Sequence, residues 1–143
     1  MATALATISN SGSKALFIRV AAATRTLLPS ESGAIVGLFP TAAQAAITVT
    51  LPAPAPGLSY TCIQCDAKAN FLVQVDAGAG LLYGAAATAG AAGACVVTAA
   101  AANQYCQWFT NVSLLGDSAT FWSDGTSWFV RGASGVANGM RFA

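Results

Sequence analysis

At 143 residues the chain suffices for one domain with a real core and is too short for two comfortable ones. Only 8% of the residues are charged and 55% are hydrophobic, against about 25% charged in an ordinary soluble domain, so a membrane or a partner protein must cover much of the surface. The six basic residues, Lys14, Arg19, Arg25, Lys68, Arg131 and Arg141, are scattered and leave no electrostatic footprint for nucleic acid. There is no histidine, which excludes a Ser-His-Asp triad, a Cys-His dyad and any histidine-containing metal site within one chain.

In chain order, residues 1–14 are small and polar and end in Ser-Asn-Ser-Gly-Ser-Lys, the composition of a flexible N-terminal arm. Met1 is followed by neither a basic start nor an apolar run with a cleavage site, so the expectation is synthesis and assembly in a host cytoplasm. Residues 15–20 (Ala-Leu-Phe-Ile-Arg-Val) read as a first strand, with a turn expected at 30–33, and 34–39 read as a second, stopped by Pro40, which has no N–H for a central ladder. A short helical turn is expected at 42–46. Residues 47–51 alternate, with Ile47, Val49 and Leu51 on one face. The stiff corner Pro-Ala-Pro-Ala-Pro-Gly at 52–57 then delivers the chain into a strand at 58–63, which makes a second candidate hairpin. Another strand is expected at 71–75.

No charge occurs from residue 77 to 116, and 81–102 is dominated by Ala, Gly, Leu, Val and Thr. A membrane helix needs about 20 predominantly apolar residues, so this segment must be weighed as one, and with it a holin-like membrane protein. Gly84, Gly90 and Gly93, few large side chains and no basic flank argue instead for Gly/Ala-rich loops and short strands, such as 94–98. Strand composition resumes at 105–115, and 133–143 reads as a turn-rich tail, expected to be a second flexible arm. Short strands with turn residues at regular intervals are the signature of an all-β antiparallel sandwich, jelly roll or small barrel. The domain is expected at 15–132, between the N-terminal arm 1–14 and the C-terminal tail 133–143.

The sharpest local signal is Gly-Asp-Ser-Ala-Thr-Phe-Trp-Ser-Asp-Gly-Thr-Ser-Trp-Phe-Val-Arg-Gly at 116–132, a β-hairpin closed by Asp124-Gly125. A two-residue loop would set Ser123 against Thr126, Phe121 against Trp128 and Ala119 against Val130; a three-residue loop with a bulge at Gly125 is the alternative. One face is then an apolar core face. The other carries Ser118, Thr120, Trp122, Ser127, Phe129 and Arg131, and such aromatics on a nominally solvated face predict a contact surface: Trp122, Phe129 and Arg131 are the candidate interface residues.

Four cysteines, Cys62, Cys65, Cys95 and Cys106, could ligate zinc, form a disulfide or lie buried as reduced thiols. The ten residues between the last two do not fit a zinc knuckle, and a buried thiol behaves as a small apolar residue. Gly116-Asp117-Ser118 matches the three-letter signature of the Gly-Asp-Ser hydrolases, but it enters a strand late in the chain and the base a serine nucleophile needs is missing; the turn reading is preferred. Asp66, Asp76, Asp117 and Asp124 form no D-x-D-x-D cation loop. No catalytic residue, metal or cofactor is expected. Exposed Trp and Tyr could stack on sugars, as in an adhesin.

The run 47–61, Ile-Thr-Val-Thr-Leu-Pro-Ala-Pro-Ala-Pro-Gly-Leu-Ser-Tyr-Thr, together with the hairpin 116–132, resembles small structural proteins of tailed bacteriophages, most of all capsid decoration (cement) proteins. In those chains a corner of the type Ile-Thr-Leu-Pro then Pro-Gly is followed downstream by a hairpin with Gly-Asp, Ser-Asp-Gly and a Trp. The resemblance spans 32–132 in outline and implies a non-enzymatic, β-rich virion component acting as an oligomer. The expected role is a homotrimer on the outer capsid surface that bridges major capsid protein subunits, with no nucleic acid or membrane partner. A tail fibre or receptor-binding module recognising host glycan is the alternative. The Cys-rich middle and residues 85–102 have no counterpart role in that pattern.

Overall fold

The computed structural model describes residues 15–21, 24–40, 46–66, 72–79, 81–90, 95–108 and 114–143. The arm expected at 1–14 and most of the helical turn expected at 42–46 lie outside the described residues. Twelve strands follow one another: β1 Phe17–Val20, β2 Thr24–Thr26, β3 Ala34–Leu38, β4 Ala46–Thr50, β5 Ser59–Gln64, β6 Leu72–Asp76, β7 Leu82–Ala89, β8 Cys95–Asn103, β9 Tyr105–Trp108, β10 Ser118–Ser123, β11 Trp128–Ser134 and β12 Met140–Phe142. A single 3-10 turn, Pro29–Glu31, is the one described helical element.

They form two mixed sheets: a large one in the order β1-β3-β5-β10-β11-β7-β8 and a small one in the order β12-β9-β6-β4-β2. The all-β expectation holds, and the sheets do not close into a barrel. The antiparallel expectation does not hold throughout, because β1, β3 and β5 run parallel in the large sheet, as do β2, β4 and β6 in the small one. From β1 to β6 the chain changes sheet at every connection, so each strand serves as the crossover for the two parallel strands facing it. Parallel neighbours normally need a long crossover, usually a helix; here the opposite sheet supplies it, and the first half winds as three stacked coils.

The Pro corner 52–57 therefore does not close a hairpin. It carries the chain from β4 in the small sheet to β5 in the large one, across the roughly 10 Å that separates packed sheets. Its stiffness suits a span between layers better than a tight turn.

Alternation sorts the side chains. Across the large sheet, Ile18, Val36, Cys62 and Ala119 stand in register and are all buried, as are Tyr60, Phe121 and Val130 in a neighbouring row. Ile47, Val49 and Val75 answer them from the small sheet. Trp108 and Trp128 are the largest fully buried side chains. Tyr60 packs on Trp128 with ring centroids 5.9 Å apart and donates to the Leu28 carbonyl at 2.8 Å, while Trp128 Nε1 donates to the Pro52 carbonyl at 3.2 Å. These bonds satisfy the polar ends that two buried aromatics would otherwise leave bare.

Two further expectations are corrected. The uncharged Ala/Gly stretch forms neither a helix nor loops with short strands, but the long antiparallel pair β7 and β8, with β7 wedged between β8 and β11. Small side chains are needed there. A Cβ on Gly132 would lie 2.4 Å from Met140 Sδ and 3.2 Å from the Ala86 Cβ, so the Met140 side chain occupies the space that larger residues on β7 and β11 would fill. The tail is not an arm either, since residues 140–142 pair with β9 and Met140 is buried.

Candidate interaction surface

The hairpin at 116–132 forms as β10 and β11, but its loop has four residues. Register is Ser123 with Trp128, Trp122 with Phe129, Phe121 with Val130 and Ala119 with Gly132, two residues out from the two-residue expectation. The cause is Asp124, whose Oδ1 accepts from the Thr126 N–H at 2.8 Å and the Ser127 N–H at 2.9 Å, an Asx-type turn that keeps Thr126 and Ser127 in the loop. Gly125 provides the left-handed φ of 103°. A shift of two preserves side-chain parity, so both faces keep the residues assigned to them from sequence.

The two motifs that carried the resemblance touch. Gly57 N–H donates to the Ser123 carbonyl and Ser123 N–H to the Leu58 carbonyl, and a Cβ on Gly125 would lie 2.8 Å from Pro56. The corner thus props the hairpin tip from the side, which holds the outward face of β10 and β11 at a fixed angle.

That outward face carries the candidate residues together. Trp122 and Phe129 stack with centroids 6.2 Å apart, and Phe129 meets Tyr83 of β7 at 6.3 Å, an aromatic row across three neighbouring strands. Trp122 is 41% and Tyr83 37% exposed, whereas Trp108 and Trp128 are fully buried; Trp122 is the exception among the tryptophans. Tyr83 was missed from sequence because its strand lay in the stretch read as loops. Beside the row, small residues make a trough of about 600 Å³, floored by Ala85, Ala87, Ser118 and Ala133 and bordered by Arg131, Trp122 and Phe129. Arg131 is exposed and makes no ion pair among the described residues, where the one salt bridge joins Arg25 and Glu31.

Gly116-Asp117-Ser118 has a structural use. Asp117 is buried and its carboxylate accepts from the Leu114 N–H at 2.9 Å, the Gly135 N–H at 2.9 Å and the Ser134 hydroxyl at 2.8 Å. It ties the turn before β10 to the end of β11.

The cysteines divide likewise. Cys62, Cys65 and Cys106 are free thiols, and the side chain of Cys95 lies outside the described residues. Burial pushes the Cys62 thiol up to about 12 and the Cys106 thiol well above its usual range, with Cys62 adding to the latter. Inert core thiols are the result. Among the described residues no three His, Cys, Asp or Glu side chains gather to hold a metal ion, and no helix is long and apolar enough to cross a membrane.

No family model matches the chain, and no curated protein matches it in sequence.

Proposed function

We propose that the protein is a non-enzymatic structural component of a tailed-bacteriophage virion, decorating the outer capsid and stabilising it by bridging major capsid subunits. The observation that supports this most is the outward face of the large sheet, where an aromatic row and an alanine-floored trough carry one charge, Arg131. Large exposed aromatics and an Arg are the residues that concentrate binding energy at protein interfaces, and a solvated sheet face would ordinarily be polar. The large sheet also ends in β8, a strand of nine residues with no charge and no proline; edge strands of that kind are normally paired or covered. The mechanism is linkage. Each copy that binds only the assembled shell stabilises it, and many copies multiply the effect.

The test is the location and copy number of the chain on the native particle, read by electron cryomicroscopy. Hundreds of copies on the head are expected; a handful at the tail would reject decoration.

A second reading, a receptor-binding module for host glycan, draws on the same row, because sugar rings stack on exposed aromatic faces and the trough adds the Ser118 hydroxyl and Arg131. Binding to a glycan array that is lost in Trp122→Ala would favour it over decoration.

A further inference from the structure

The outward face of β10 and β11 has an internal order that says what covers it. Its rows, taken along the hairpin, are Ser118 with Ala133, Thr120 with Arg131, Trp122 with Phe129, and then the loop beginning at Asp124. The aromatic pair sits midway. One step of two residues to one side, roughly 6.8 Å, lies the Arg131 row with the trough; one equal step to the other side lies Asp124 at the projecting tip.

Among the described residues these two are the charges with no partner beyond their own turn. Arg25 pairs with Glu31, Arg19 lies over the Phe39 ring at 4.5 Å, Asp76 accepts from the Gly78 N–H and from Gln104 Nε2, and Asp117 is consumed by its three donors. Asp66 and Arg141 have partners of their own. Asp124 is exposed and receives only the two N–H groups of its own turn.

We propose that two copies of the chain pack these faces together about a two-fold axis lying between them along the Trp122–Phe129 row, so that the hairpin tip of each enters the trough of the other. That rotation keeps the aromatic rows in contact at the centre and carries Arg131 of one copy over the tip row of its partner. Asp124 of each copy then meets the partner's Arg131, twice over by symmetry, with a lateral offset of one strand spacing, about 4.8 Å, that an arginine side chain spans. The alternative two-fold, with its axis along the strands, would bring the two arginines side by side over a neutral floor. The charge pattern therefore selects the first axis, and the contact is isologous. The pairing rests on the reading of this face as a subunit contact, and it puts a two-fold pair in place of the trimer implied by the resemblance.

Sedimentation velocity of the full chain over a dilution series at low salt and at 0.15 M salt tests it with charge-swapped variants. Arg131→Glu sets two carboxylates against each other, and Asp124→Lys sets two cations against each other. Each alone is expected to weaken self-association about tenfold or more. In a one-to-one mixture of the two variants both cross-contacts join opposite charges again, and association should return to within about threefold of the original chain. Because Asp124 also holds its turn, Asp124→Asn, which keeps the acceptor oxygen, serves as the folding control and should weaken association with unchanged circular dichroism. Single variants that associate like the original chain, or a mixture as weak as its components, would overturn the pairing. The particle copy number still reports separately on decoration, so failure of one is distinguishable from failure of the other.

Discussion

Replacing Asp117 by alanine removes the acceptor of three hydrogen bonds, from the Leu114 N–H, the Gly135 N–H and the Ser134 hydroxyl, at a site closed to water. A hydrogen bond to a charged group contributes about 1.5 to 3 kcal/mol, and a donor stranded without a partner costs about 1 to 3 kcal/mol. The three are not additive, and turns at 114–117 and 134–136 can relax toward solvent. We expect a loss of about 3 kcal/mol, a fall in Tm of roughly 10 °C for a domain of this size. Urea titration followed by tryptophan fluorescence reads it directly, because Trp108 and Trp128 are buried only in the folded chain. The midpoint should fall with little change in the slope. Asp117→Asn should lose less, since one oxygen still accepts while its amide opposes a donor. A midpoint for Asp117→Ala within about 0.5 kcal/mol of the original would refute the assignment of Asp117 as the tie between the two turns.

Gly84→Ala should destabilise the β7–β11 pairing by more than about 2 kcal/mol, because φ there is 137° and a Cβ would lie 2.0 Å from the Val130 carbonyl oxygen; a thermal melt checks it. Cys62 and Cys106 should resist a thiol reagent at pH 8 until the chain is unfolded, while the half-buried Cys65 reacts in the native state. The Cys62 thiol is raised from 9.0 to about 12 by burial, so its contribution to stability is fully present below pH 9 and is lost as pH rises from about 9 toward 12; urea midpoints across that range should fall, and Cys62→Ala should flatten the fall. Trp122→Ala should leave the melting temperature of the dilute, dissociated chain within about 2 °C, being exposed, yet lower the weight-average sedimentation coefficient at concentrations where the original chain associates.

Strand positions in the first half were legible because β4 and β5 alternate as a half-buried strand must, and because Pro40 and the corner at 52–57 stop them where they do. The winding was not legible. Alternation reports which face of a strand is buried and nothing about which strand lies beside it, and a chain that changes sheet at each connection has the same local pattern as a meander. The Ala-rich pair β7 and β8 was hidden because alanine and glycine carry little strand signal; their requirement comes from Met140 and Gly132, far away in sequence. Asp124 set the loop length through side-chain bonds that the Asp-Gly dipeptide alone does not announce. Of the candidate surface, Trp122, Phe129 and Arg131 could be found from parity within one hairpin, while Tyr83 needed the neighbouring parallel strand β7.

The claim most open to direct test is that a second copy of the chain covers the outward face of the large sheet, and acrylamide quenching of Trp122 fluorescence across a dilution series of the purified full chain tests it, with Trp122→Phe used to subtract the two buried tryptophans. The account predicts a shielded Trp122 at high concentration that becomes quenchable in step with dissociation toward the 14.3 kDa chain. A Trp122 equally open to quencher at every concentration, on a folded chain that sediments as a monomer throughout, would contradict it.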